Sequence, residues 1–61
     1  MAVVARVRRY LAQTGMAQTM FGRAAVNDPR LVEDLMNGRQ PRPRTIERID
    51  AFIATHPEGV R

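Results

Sequence analysis

Four polar side chains, Arg30, Glu33, Asp34 and Asn37, recur at i, i+3, i+4 and i+7 in the stretch DPRLVEDLMNGRQPRPR, residues 28–44. On a helix this spacing makes one stripe, and Leu31, Val32 and Leu35 are left as the apolar face. The stripe holds a guanidinium, two carboxylates and a carboxamide, groups that hydrogen-bond in defined planes. A guanidinium pairs bidentately with a phosphate or with O6 and N7 of guanine, and a carboxylate accepts from cytosine N4. Directly after the stripe come Arg39, Arg42 and Arg44, with Pro41 and Pro43 between them and no acid. Proline biases its predecessor to extended geometry, so these arginines are expected on a stiff loop that presents them at small entropic cost. A short helix with one buried and one polar face, followed by basic residues, has a shape that fits a DNA groove.

The stripe is useful only if the chain holds it in place. Asp28 is a natural N-cap, Pro29 suits a first helical turn, and Asn37-Gly38 is a helix stop. Three further helices are expected around this one. The first covers about 2–14, with Val4, Val7 and Leu11 on one face, Val3 and Tyr10 flanking it, and Gly15 as its end. The second covers about 17–24. Met16 and Phe21 have the spacing of a hydrophobic staple, although Ala17 is a poor N-cap. A short turn at 25–27 follows, and Asn27 is one of the few residues other than glycine that accepts positive φ. The fourth starts near Pro43 or Thr45 and runs to about Thr55, with Ile46, Ile49 and Ile53 as its seam, Phe52 beside it, and Pro57 closing it. Gly22 falls where the second and third helices should cross, and its missing side chain would let them approach closely. No strand pattern competes, so the expectation is a compact all-α, four-helix domain over 1–57 with a loose tail at 58–61.

Composition narrows the function classes. A chain of 61 residues makes one domain at most, and at this size about 60% of the unfolded surface is buried. There is no cysteine and a single histidine, His56, which is expected to cap the dipole of the last helix. No metal site or cofactor is therefore expected. No apolar run approaches a membrane span, and the start has arginines within its apolar stretch, unlike a signal peptide. A cytoplasmic protein without a membrane partner is the expectation. No carboxylate pair, nucleophile with base, or glycine-rich phosphate loop is present, so an enzyme is not expected.

The net charge is +4, and its distribution is informative. Residues 1–26 carry Arg6, Arg8, Arg9 and Arg23 without an acid; 27–36 carry Arg30 against Asp28, Glu33 and Asp34; 37–46 carry three arginines and no acid. Basic blocks on either side of a helix suit a phosphate backbone. All ten basic residues are arginine. Codon usage in a GC-rich genome accounts for the absence of lysine, but not for where the arginines stand. Arg6, Arg8 and Arg9 cannot share one helical face and read mostly as solvated charges.

The stretch MAQTMFGRAAVNDPRLVEDLMNGR, followed by RTIERIDAFI, resembles the lambda-repressor-like helix-turn-helix domains of phage repressors and small bacterial regulators. The resemblance covers roughly residues 16–54, with a helix-turn-helix core at about 17–37. Its carriers are a polar start at Gln18 and Thr19, the small Gly22, apolar Val32 and Leu35, the Asn37-Gly38 stop and an Ile-rich last helix. Three departures stand out. The turn glycine usual in the family would fall near Val26, Ala17 replaces a hydroxyl cap, and the reading stripe contains two acids. The resemblance implies that the second helix lies across the phosphate backbone and the third enters the major groove. Position by position, it places Pro29, Arg30, Glu33 and Asp34 toward the bases. It places Gln18, with Thr19, and then Asn37, Arg39 and Gln40 toward the backbone, and the loop arginines Arg42 and Arg44 extend that phosphate contact.

Some residues keep two readings. Arg30 either reads guanine or forms an i,i+4 ion pair with Asp34. Glu33 either accepts from cytosine N4 or stays a solvated charge that repels phosphate and so penalises non-specific binding. At the level of function the first expectation is a sequence-specific regulator of transcription bound to double-stranded DNA, located at the nucleoid. The alternative is a protein-interaction module on the same fold, an antitoxin or adaptor with a protein partner, and its support is the acidic pair Glu33 and Asp34. A homodimer on DNA would have only Tyr10, Phe52 and Val60 to build an interface.

Overall fold

The computed structural model describes residues 2–59 and contains four helices: α1 (Val3–Thr14), α2 (Gln18–Val26), α3 (Leu31–Met36) and α4 (Pro43–Thr55). No strand occurs among the described residues. Every helix supplies the core: Val7 and Tyr10 from α1, Phe21 and Ala25 from α2, Leu31, Val32 and Leu35 from α3, and Ile49 and Phe52 from α4. Met16 packs against this cluster just ahead of α2, as a staple to the fully buried Phe21 would require.

Tyr10 belongs to the centre rather than the flank of α1. Its ring meets Phe21 at a centroid distance of 5.4 Å and Phe52 at 6.1 Å, and Phe21 meets Phe52 edge-on at 5.5 Å. Burial of its phenol is tolerable because the hydroxyl donates to the His56 carbonyl at 2.6 Å. Tyr10 and Phe52 are therefore core residues, not material for a dimer interface, and Val60 lies outside the described residues. Burial pushes the Tyr10 phenol above its ordinary value, against a smaller lowering by the Gly59 backbone. The unfolded chain ionises near 10.0 and the folded one higher, so this contribution is complete below that pH and lost as pH rises through the folded value. Tyr10→Phe is expected to lose about 1 kcal/mol at neutral pH with the hydroxyl bond. It should also remove the alkaline component of the loss. Thermal melts at neutral pH and just above the ordinary phenol value check both effects.

The path from α2 to α3 differs from the expected one. α2 continues through Val26, because Ala25 is buried and needs helical register to reach the core. Asn27 then takes the left-handed conformation, φ 58°, with its N–H on the Arg23 carbonyl at 3.0 Å. The turn is therefore at 27–30, and α3 begins at Leu31 rather than at Pro29. Asp28 organises that turn. Its Oδ1 accepts from the Arg30 N–H at 3.0 Å and its carbonyl from the Leu31 N–H at 3.2 Å, a local turn that competes with an immediate helix. Gly22 is buried beneath it. A β-carbon built there would fall on the Asp28 carbonyl oxygen and lie 3.3 Å from Leu31 Cβ. Thus α2 and the turn into α3 touch backbone to backbone.

α3 ends as a Schellman motif: Gly38, φ 88°, donates to the Leu35 carbonyl at 3.2 Å, and Arg39 donates to the Asp34 carbonyl at 3.0 Å. α4 starts at Pro43 after an extended Arg42, so Arg44 rides on the first turn of α4 rather than in the loop. At the other end His56 stacks on Phe52, centroids 4.3 Å apart, with Nδ1 3.1 Å from the Phe52 carbonyl oxygen. Gly59, expected in the tail, turns back onto the domain: its N–H donates to the His56 carbonyl, and it lies over Thr14 and Met16. Arg6 is not merely solvated. Its Nε and Nη2 donate to the two Asp50 oxygens, each at 3.1 Å, tying α1 to α4. Arg6 is half-buried and Asp50 exposed, so the pair contributes roughly 1 kcal/mol at most. No described helix is long and apolar enough to cross a membrane.

Candidate nucleic-acid interface

The outward side of α3 is set by its core side. With Leu31, Val32 and Leu35 buried, helical geometry leaves Glu33 in the middle of the free face of α3, Asp34 along one edge and Met36 along the other, while Arg30 and Asn37 flank the helix as its N-cap and C-cap and Pro29 lies in the turn before it. All of these are exposed except Asp34, which is half-buried. The Met36 edge meets the start of α2, where Gln18 Nε2 approaches Met36 Sδ at 3.8 Å. The Asp34 edge borders a cleft of about 250 Å³ shared with Asp28, Arg39, Gln40, Arg42 and Thr45. The stripe on α3 thus lies between the N-terminus of α2 and the loop leading to the N-terminus of α4.

Both of those helix starts are electrically open. α2 follows Ala17 and α4 follows Arg42, neither of which supplies a side-chain cap, and neither first turn contains an acid. Their unpaired N–H groups and the positive ends of their dipoles suit an anion. Arg42 and Arg44 add full charges at the start of α4.

The residues singled out by sequence fall into three groups. Glu33, Asp34 and, at its C-cap, Asn37 stand on α3, Pro29 and Arg30 lead into it from the turn, and Gln18 reaches its Met36 edge. Arg39, Gln40 and Arg42 border the same face across the cleft, and Arg44 follows on α4. Thr19 stands apart, on a surface with Ala17, Met20, Arg23 and Ala24.

The charges on α3 are not paired as the ion-pair reading of Arg30 expected. Asp34 forms no ion pair with Arg30; its Oδ2 accepts instead from Arg39 Nη1 at 3.2 Å. Arg30 and Glu33 have no ion-pair partner among the described residues. A spacing of five residues escapes the i,i+3 and i,i+4 rule. It works here because left-handed Gly38 turns Arg39 back along the helix. Sequence reasoning also missed Met36, 47% exposed, whose apolar type conceals its place beside Gln18.

Compared with protein-family models, with curated proteins and with solved structures, the chain shows no match.

Proposed function

We propose that this domain is a sequence-specific binder of double-stranded DNA that acts in transcriptional regulation. In this reading α3 lies in the major groove, with phosphates held on one side by the start of α2 and on the other by Arg42 and Arg44. The observation that carries the reading is the placement of an exposed hydrogen-bonding stripe between two uncapped, acid-free helix starts. Phosphate contacts would fix register and supply most of the affinity, and the stripe would supply selectivity. Arg30, exposed and without an ion-pair partner among the described residues, is the natural guanine reader, and Glu33 the acceptor for cytosine N4.

Pairing with Arg39 removes half of the acidic objection to this reading, because Glu33 is then the one acid of the stripe without an ion-pair partner among the described residues. A second reading, a protein-interaction module, draws on exposed Met20 with Ala24 on α2 and Ala17 just before it.

Selection from a random duplex library tests the proposal. Enrichment of a defined consensus is expected, and half-sites about one helical turn apart would mean a dimer on DNA. Arg30→Ala should retain binding but flatten preference at one base position, by about 1–3 kcal/mol. Selection that enriches no sequence, together with salt-insensitive capture of a protein partner, would replace this reading with the second.

A further inference from the structure

We infer that Arg39 is a base-reading residue, aimed into the groove by Asp34, and not a phosphate clamp. The inference rests on the DNA-binding reading and assigns a specific role within it. The pair is tied at two levels. The Arg39 backbone N–H donates to the Asp34 carbonyl at 3.0 Å, and Nη1 donates to Asp34 Oδ2 at 3.2 Å. The first bond fixes where the Arg39 side chain starts, and the second fixes where its head lies. Asp34 belongs to the stripe of α3, so the guanidinium is folded back to the edge of that stripe, at the cleft that Asp34 shares with Gln40 and Arg42.

The exposures of the two partners are unequal in the sense a reader requires. The Asp34 side chain is 31% exposed and that of Arg39 74%, so the carboxylate is set into the cleft wall and the guanidinium stands outside it. A guanidinium has five N–H donors in a rigid fork, and one bond to Asp34 leaves enough for a bidentate contact to O6 and N7 of guanine. Charge points the same way. A guanidinium already paired with a carboxylate gains less from a phosphate than Arg42 or Arg44, which have no such partner among the described residues. The pair also shields the Asp34 carboxylate from the phosphates flanking the groove.

The experiment uses the whole chain and a fluorescein-labelled duplex carrying the selected site, with the same duplex altered one base at a time. Wild type should prefer guanine at one position beyond that read by Arg30. Arg39→Ala should lower affinity tenfold or more for the selected duplex and little for the duplex lacking that guanine. Arg39→Lys, which keeps the charge without the fork, should hold the salt dependence and lose the preference. Asp34→Ala should reduce the same preference several-fold while affinity for the altered duplex holds or rises, since a negative charge has been removed. Asp34→Glu, which restores a carboxylate, should recover part of it. Far-UV circular dichroism establishes that each variant is folded. Uniform weakening of every duplex by Arg39→Ala, with the salt slope reduced by about one, would make Arg39 a phosphate contact and overturn the inference. An unchanged guanine preference in Asp34→Ala would overturn the positioning role. Wild type that binds no duplex at low salt would instead remove the DNA-binding reading itself.

Discussion

Gly22→Ala is expected to destabilise the domain by about 3 kcal/mol or more, an effect that steric overpacking reaches when backbone stands in the way. Helix propensity and steric fit have opposite signs at this position. Helix propensity alone favours alanine over glycine by about 1 kcal/mol. The new β-carbon, however, would fall on the Asp28 carbonyl oxygen and press on Leu31 Cβ. That carbonyl cannot swing away cheaply, because it accepts the Leu31 N–H that opens α3. Relief would require α2 to part from the turn, uncovering Phe21 and Val32, both fully buried. At about 0.05–0.15 kcal/mol per residue, the loss takes a large share of the total stability of so short a domain. A fall in midpoint of roughly 10–25 °C follows, at 4–8 °C per kcal/mol. Thermal and urea melts measure it directly, and a variant as stable as wild type would mean that the α2–α3 approach is not fixed by Gly22.

The double substitution Arg42→Ala with Arg44→Ala should have the largest effect on DNA binding. Both residues are exposed and stand at the start of α4, where an uncapped helix dipole adds to their charge. Each phosphate contact contributes about 0.9 to the slope of log affinity against log salt. Removing both should lower that slope by nearly two and weaken binding to all duplexes alike, leaving base preference intact. Stability should move by less than about 0.5 kcal/mol, since both are surface positions. Anisotropy titrations over a salt series read slope and preference in the same experiment. A changed preference with an unchanged slope would place these arginines at the bases.

Most of the fold was legible from local signals. The seams of α1 and α4, the Met16 and Phe21 spacing, the Asn37-Gly38 stop and the small residue at Gly22 all act within a few residues of themselves. Asn27 is a case in point: it takes the positive φ that a glycine would otherwise provide, one residue beyond Val26. What was not legible depends on distant partners. Tyr10 is central because its hydroxyl meets a carbonyl 46 residues away, and Arg6 meets Asp50 across 44. Neither separation leaves a mark in periodicity. The start of α3 moved because the side chain of Asp28 captured Arg30 in a local turn. The candidate site was legible as a set of polar positions, but not in its pairing. The bond between Asp34 and Arg39 depends on a reversal at Gly38 that no helical wheel includes.

In the proposed complex α3 presents its stripe to DNA between the starts of α2 and α4. The most direct test is to titrate the ¹⁵N-labelled protein with a mixed-sequence duplex at low salt and follow the backbone amide shifts. Shifts are expected to concentrate at Gln18, at Arg30 through Asn37 and at Arg39, Gln40, Arg42 and Arg44, reversed by added salt, with the outer face of α1 at Ala5, Arg9 and Ala12 unmoved. Shifts confined to that face of α1, or none at any residue, would contradict this placement.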